Sequence, residues 1–169
     1  MALSLHTASV PVFVQMLDSL AAILAKAETY ATSRNIEAPA LLQARLFPDM
    51  LPLVRQVQIA CDFARGVCAR LAGAEVPSVP DTHASFAELR GLLASTRDYI
   101  QSLDPAAIDA GADRDIVLRP NTPKARQFQG AAYLLSYGLP QFFFHVTTAY
   151  DILRHNGLDI GKRDFMGTY

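Results

Sequence analysis

The stretch MLPLVRQVQIACDFARGVCARLAG, residues 50–73, decides the fold of this 169-residue chain. Its apolar residues recur in alternating steps of four and three, at Met50, Val54, Val57, Cys61, Ala64, Cys68 and Leu71. This spacing places one apolar stripe along a helix and is typical of the seam between packed helices of a bundle. A helix is therefore predicted over residues 49–72, with Asp49 as its N-cap, Pro52 in its first turn and Gly73 as its stop.

Three further helices are predicted from the same kind of periodicity. They cover residues 10–31, 86–103 and 140–156. Ser85 and Glu88 stand three residues apart in front of the 86–103 segment, which is the pattern of a capping box. Four amphipathic segments of this length predict an all-α four-helix bundle.

Two long connections decide how the helices can be arranged. Residues 73–84 contain two prolines, which favour extended backbone, and twelve extended residues reach about 40 Å. That is enough to run back along a helix of about 30 Å, so the second and third helices can be parallel.

Residues 104–130 are too long for a plain loop. There DIVLR and KARQFQ flank the turn sequence PNTP, which predicts a short β-hairpin before the last helix, and GAAYLLSYG (130–138) is predicted as a helical turn.

Composition limits the classes of function. The length predicts a single domain over residues 1–169. A formal net charge of −1 without a basic run predicts no nucleic-acid partner. Continuous apolar runs stay below the roughly 18 residues that a membrane span needs, so no membrane association is expected. Cys61 and Cys68 lie about 10 Å apart along a helix, too far to bridge. They are predicted to be reduced core residues of a cytoplasmic protein.

The motifs of several enzyme classes are absent from the sequence. It contains no G-x-S-x-G, no dinucleotide-binding glycine pattern, no C-x-x-C and no H-x-x-x-H. His145 and His155 are ten residues apart, which on one helix separates them by about 15 Å. They therefore cannot share a metal ion.

His145 lies within the apolar sequence FFFHVTTAYDILRHNG, residues 142–157. It is predicted at the border of the apolar stripe, with Gln141 one turn earlier on the same side. Two interpretations follow from the residues: a boundary histidine bonded to a neighbouring helix, or one packed at a subunit interface. Phe142, Phe143 and Phe144 point in three directions, which is typical of a helix that is central or shared with a second subunit.

The sequence also resembles a known family. LPQFFFHVTTAYDILRHNGLDIGKRDFMG (139–167), together with RLFPDMLPLVRQVQIACDFA (45–64), is similar to the domain-of-unknown-function family DUF1993, a branch of the DinB/YfiT-like superfamily. The resemblance extends over essentially the whole chain. It implies a four-helix bundle of up-down-down-up topology and a homodimer.

The resemblance further implies a possible metal site. Many DinB-like proteins bind a divalent metal such as zinc or nickel through three histidines, one on the second helix and an H-x-x-x-H pair on the last. Aligning the LRHNG ending places His145 on the second histidine of the pair and Gln141 on the first. The second helix offers only Gln56, Gln58 and Asp62 at this point. Because an amide oxygen is a weak ligand for such metals, a tightly held ion is not expected.

Three functions remain open from the sequence. The favoured one is binding of a small molecule, without a metal cofactor, in a bundle cleft formed by His145, Gln141, Gln56 and Tyr137. The second is a metal-dependent enzyme, a thiol-dependent transferase or a hydrolase, with the metal on His145 and Gln141. The third is a structural or interaction protein whose bundle is filled. No catalytic residue is assigned.

Overall fold

Four long helices hold about half of the chain in the computed structural model, which describes residues 3–169. The elements in chain order are α1 (Leu5–Ser33), α2 (Ala38–Leu42), α3 (Leu53–Ala72), α4 (Phe86–Ser102), α5 (Pro105–Asp109), β1 (Asp115–Leu118), β2 (Arg126–Gln129), α6 (Gly130–Tyr133), a π-helical turn (Leu134–Gly138), α7 (Leu139–His155) and α8 (Lys162–Met166). The long helices α1, α3, α4 and α7 form the bundle, and β1 and β2 pair as an antiparallel hairpin before α7. The predicted helical bundle with an inserted hairpin is confirmed.

Helices α3 and α4 run parallel, as the extended connection between them allows. Arg55 at the start of α3 forms an ion pair with Asp81, just before α4. Farther along both helices, Arg65 donates to the hydroxyl of Thr96 over 2.6 Å. The chain therefore returns from the end of α3 to its beginning before α4 starts.

Helix α7 runs parallel to α1 and antiparallel to α3. Near its start, Phe142 contacts Phe13 of α1 with ring centroids 4.7 Å apart, and at its end the carbonyl of Asn156 accepts a hydrogen bond from Tyr30. The Glu28–Arg90 and Asp18–Arg97 ion pairs make α1 and α4 antiparallel. The directions are thus up, down, down and up, which the resemblance implied.

The predicted seam is the buried face of α3, but this helix begins later than predicted. From Val54 to Leu71 every residue of the stripe is buried, and both cysteines are free. Burial raises the pKa of each thiol to about 12, so both stay protonated. Pro52, not Asp49, is the N-cap. A proline disfavours helical backbone in the residue before it, so Leu51 stays outside the helix and the prediction of a start at 49 was wrong.

Helix α1 starts five residues earlier than predicted because Ser4 caps it, accepting a hydrogen bond from the Thr7 N–H over 3.2 Å. It is also long and apolar enough, by length and composition, to cross a membrane. This test averages hydropathy over a window that can include polar residues, so it differs from the continuous apolar run considered in the sequence. Half of its most apolar window is buried inside the bundle, which is also a property of core helices in soluble proteins.

The chain is helical without interruption from Gly130 to His155, so the predicted helical turn is continuous with the last helix. A proline within a regular α-helix lacks one N–H and collides with the carbonyl four residues earlier. The π-helical turn directly before Leu139 widens the backbone where Pro140 would cause this collision. Gly138 lies against α3, because a Cβ there would be 2.6 Å from Val67 Cγ2.

Two glycines bring backbone segments into direct contact at the base of the hairpin. A Cβ on Gly130 would lie 1.9 Å from the carbonyl oxygen of Gly111, and a Cβ on Gly111 would lie 2.2 Å from the carbonyl oxygen of Leu71. The base of the hairpin is therefore packed backbone to backbone on the end of α3. This packing fixes the position of the hairpin over the bundle.

The C-terminal segment folds back onto α1 and α7. Gln15 donates to the carbonyl of Met166 over 2.8 Å, and Ser19 donates to the carbonyl of Asp164 over 2.6 Å. Phe165 contacts Tyr150 edge to face with centroids 5.5 Å apart.

We predict that Gly111→Ala and Gly130→Ala each lower the free energy of unfolding by about 1–3 kcal/mol or more, because their Cβ atoms would overlap backbone that cannot move aside. Gly91→Ala is the matched control, since Gly91 is an exposed residue of α4 with nothing within 4 Å of its Cβ position. Because alanine has a higher helix propensity than glycine, this control is expected to raise the free energy of unfolding by about 0.5–1 kcal/mol. Urea unfolding measures all three, and an unchanged midpoint for Gly111→Ala would contradict the backbone packing.

Candidate functional site

A buried hydrogen bond joins the two central helices at His145. Its Nδ1 lies 2.7 Å from Oε1 of Gln56, and the two residues are 8% and 2% exposed. The amide nitrogen of Gln56 donates to the carbonyl of Leu51 over 3.0 Å, so its oxygen is the atom that faces the ring. Because that oxygen can only accept, Nδ1 carries the proton and donates it.

The other ring nitrogen of His145 is free. Nε2 has no hydrogen-bond partner in residues 3–169, and it is not among the fully enclosed unpaired atoms of that part of the chain, so it contacts solvent. Burial lowers the pKa of His145 below its ordinary 6.5. The imidazole is therefore neutral at physiological pH and presents a lone pair at Nε2.

Aromatic rings surround this imidazole. Phe63 of α3 stacks on it with centroids 5.8 Å apart and planes 18° apart, and Phe144 meets it edge to face at 5.2 Å. The ring of Tyr137 contacts Phe63 with centroids 6.0 Å apart, on the side of Phe63 that faces away from Gln56 along α3. Phe144 is 55% exposed, so an apolar wall beside His145 faces solvent. The surface where α3 and α7 meet, from Gln56 and His145 to Phe63 and Tyr137, is called the α3–α7 groove. The cavities beside it are lined by Tyr137, Phe144 and Phe63 and not by His145 or Gln56.

The four residues predicted to line a cleft occupy this groove to different degrees. His145 and Gln56 are in direct contact, and Tyr137 is separated from His145 by the ring of Phe63. Gln141 makes no hydrogen bond with Gln56, which is bonded to Leu51 and His145. It shares a depression of about 240 Å³ with Tyr137 and Phe144. Ligand binding by these residues stays a prediction.

The structure identifies which residue of α3 faces His145. Of the three polar candidates, Gln58 accepts a hydrogen bond from Arg55, and Asp62 forms an ion pair with Arg65 over 2.5 Å. Only Gln56 reaches the imidazole. The sequence could not choose among them, because the choice depends on the rotation of α3 relative to α7.

The donor set does not fit the three-histidine metal site that the family resemblance implies. His145 Nε2 is the single imidazole nitrogen available, because Nδ1 is bonded to Gln56. Both polar atoms of the Gln56 amide are already engaged. Over the described residues, no three histidine, cysteine, aspartate or glutamate side chains are grouped so as to hold an ion. One imidazole with one neutral amide is a weak donor set for zinc or nickel.

Sequence reasoning missed a second cavity at the other end of the groove. It has a volume of about 210 Å³, lies under the hairpin and shares Phe63 and Tyr137 with the His145 surroundings; its other lining residues are Asp62, Arg70, Leu118, Arg119 and Tyr133. Arg70 and Arg119 are 49 positions apart in sequence, so no local pattern links them. The one sequence feature that could have indicated this cavity is Gly66 in the interior of α3. A glycine inside a helix lowers the helix's stability by about 1 kcal/mol relative to alanine, and nothing in the neighbouring sequence explains it.

The fold and groove define a DinB-like helical-bundle protein. A crystal structure described as a DinB family member protein from Shewanella denitrificans matches with a TM-score of 0.91 and 37% sequence identity, covering 98% of this chain and 93% of that chain. The family described as domain of unknown function (DUF1993) matches residues 5–166, and the chain belongs to that family. The resemblance found in the sequence is confirmed. No match was found among curated proteins.

We predict that the free energy of unfolding decreases below pH 6.5. His145 has a lowered pKa in the folded state, so at these pH values the unfolded chain binds a proton that the folded chain does not. The contribution of the neutral His145 to the free energy of unfolding is fully present above about pH 6.5 and is lost as the pH falls through the pKa of His145 in the folded state. Urea unfolding from pH 5 to 8 measures it, and His145→Gln is expected to flatten the profile.

His155→Gln is the matched control, because His155 is exposed on the same helix. Its profile is expected to equal that of the wild type. A wild-type decline that persists unchanged in His145→Gln would contradict the assignment to His145.

Proposed function

We propose that the protein binds a small molecule in the α3–α7 groove, and that Nε2 of His145 accepts a hydrogen bond from it. The observation that carries the proposal is an unpaired nitrogen, in contact with solvent, on an otherwise buried and oriented ring. Because the bond to Gln56 fixes the ring, Nε2 presents its lone pair in one direction, and a ligand's donor group can replace the solvent there without reorienting the imidazole.

The surroundings of His145 indicate the ligand's chemistry. A neutral imidazole accepts from a hydroxyl, amide or similar neutral donor, whereas a charged one would require an anion. Phe63 and Phe144 provide apolar surface on two sides of the ring. Apolar walls with a few fixed polar groups are the usual make-up of small-molecule sites. The proposed ligand is therefore an apolar or aromatic body that carries a hydrogen-bond donor.

The proposed function does not use a tightly held metal. The hydrogen bond to Gln56 holds the imidazole in one orientation, a role that partners of metal-bound histidines also have. Here, however, further strong donors are lacking around Nε2 in the described chain. Binding through a single imidazole favours exchangeable ligands over a retained ion.

We predict that p-cresol binds in the groove more tightly than toluene, which has the same ring and methyl group but no hydroxyl. The Nε2 resonance of His145 in ¹⁵N spectra is expected to shift with p-cresol and to stay unchanged with toluene, because only the hydroxyl can donate to the lone pair. His145→Ala is expected to weaken p-cresol binding about five- to tenfold, the size of one buried hydrogen bond, and His155→Ala is the control.

An Nε2 chemical shift that stays unchanged with both probes at millimolar concentration would contradict the proposal. Such a result would instead favour a filled bundle with a structural or interaction role.

The proposal includes a cytoplasmic location and a homodimer. The location rests on the free, buried cysteines, and the homodimer rests on the family resemblance. An apolar groove of about 1120 Å³ between α1 and the C-terminal segment supports a second copy as its cover, since the exposed residues Pro11 and Ala22 line it.

We predict that native mass spectrometry of untagged protein shows two chains of 18.4 kDa each without a bound metal ion. Ala22→Glu places a charge in the groove beside α1 and is expected to shift the assembly toward one chain. Ala132→Glu, at an exposed position of α6 outside that groove, is the control. A single chain at micromolar concentration contradicts the dimer. One metal ion per chain that disappears in His145→Ala contradicts the metal-free site.

A further inference from the structure

We infer that the cavity under the hairpin binds the acidic group of the ligand, a carboxylate or a phosphate, between Arg70 and Arg119. This inference rests on the proposed ligand-binding function and adds the chemical class of the molecule bound. The cavity and the His145 surroundings share Phe63 and Tyr137, so one elongated molecule can contact both.

The charge of the cavity favours an anion. Arg70 and Arg119 both line it, and neither forms an ion pair with a carboxylate of residues 3–169. The carboxylate of Asp62 also lines the cavity, but it is bonded to the guanidinium of Arg65. Two guanidinium groups without acidic partners beside one neutralised carboxylate make the cavity a binding site for negative charge.

Arg70 is held in position by its own helix and by Tyr133 of α6. Its Nη1 donates to the carbonyl of Gly66 over 3.0 Å and to the hydroxyl oxygen of Tyr133 over 3.2 Å. These bonds leave other N–H groups of the guanidinium free, and the hydroxyl proton of Tyr133 is free to bond an acceptor. The cavity thus offers donors from Arg70, Arg119 and Tyr133 to one acidic group.

Gly66 makes this position of Arg70 possible. A Cβ on Gly66 would lie 2.6 Å from Nη1 of Arg70, which is closer than a real contact allows. A larger residue would push the guanidinium away from the cavity without touching backbone. This explains a glycine inside α3, where helix propensity disfavours it.

The rings beside the two arginines favour an aromatic acid. Phe63, Tyr133 and Tyr137 line the cavity, and Tyr133 and Tyr137 stack with centroids 5.9 Å apart. A volume of about 210 Å³ suits one ring with its acidic group.

The test compares benzoate with benzamide, its neutral analogue of the same shape, in NMR titrations of the full chain at low salt. Benzoate is expected to bind at least about tenfold more tightly, because each charge-assisted hydrogen bond exceeds a neutral one. Arg70→Gln and Arg119→Gln are each expected to remove most of that preference. Arg154→Gln, an exposed arginine of α7 outside the cavity, is the control and is expected to keep it.

Gly66→Ala separates binding from folding. It is expected to reduce the preference for benzoate as Arg70→Gln does, while its unfolding midpoint stays equal to or above that of the wild type. Parallel titrations with phenyl phosphate distinguish a carboxylate ligand from a phosphate ligand. Of benzoate and phenyl phosphate, the one that binds more tightly in an Arg70-dependent way identifies the acidic group that the cavity binds. Equal affinities for benzoate and benzamide, or a preference that survives both arginine substitutions, would overturn the inference.

The two proposals fail separately. If the Nε2 shift of His145 does not change with p-cresol while benzoate binds in an Arg70-dependent way, the acidic site is supported and the proposed acceptor role of His145 is wrong. If Nε2 responds to p-cresol and benzoate shows no preference, the ligand is neutral and the acidic site is wrong.

Discussion

The hydrogen bond from His145 Nδ1 to Gln56 Oε1 is the interaction on which the candidate site depends. It crosses a largely apolar interface between α3 and α7, where an unpaired polar group would cost about 1–3 kcal/mol. Because Gln56 also donates to Leu51, its amide cannot turn without losing that bond. The imidazole therefore has one tautomer and one orientation. The same bond accounts for the poor fit to a metal and for the free acceptor at Nε2.

The bundle itself was predictable because it rests on local signals. The stripe from Val54 to Leu71 is buried as its spacing predicts, and Ser85 caps α4, with Glu88 N–H donating to the serine hydroxyl over 3.1 Å. The Glu88 carboxylate in turn accepts from the N–H of Ala84, one residue before the predicted partner. Helix ends were less predictable. The start of α3 depends on Pro52 acting on the residue before it, and the start of α7 is hidden because a π-helical turn lets the helix continue through Pro140.

The site was predictable only in part because it is built across helices. His145 was identified from its position in an apolar segment, and Gln56 was one of three candidates, but the rotation of α3 that selects Gln56 is a property of packing. The cavity under the hairpin was missed for the same reason. Backbone contacts at Gly111 and Gly130 bring the hairpin over α3, and no periodicity in the sequence encodes this approach.

The protonation site of His145 tests the account most directly. In ¹⁵N–¹H correlation spectra above pH 7, we expect the proton on Nδ1 and a lone pair on Nε2, and we expect Gln56→Ala to abolish this preference. A proton found on Nε2 in the wild type would contradict the account, because the nitrogen proposed to accept a ligand's hydrogen bond would then be a donor.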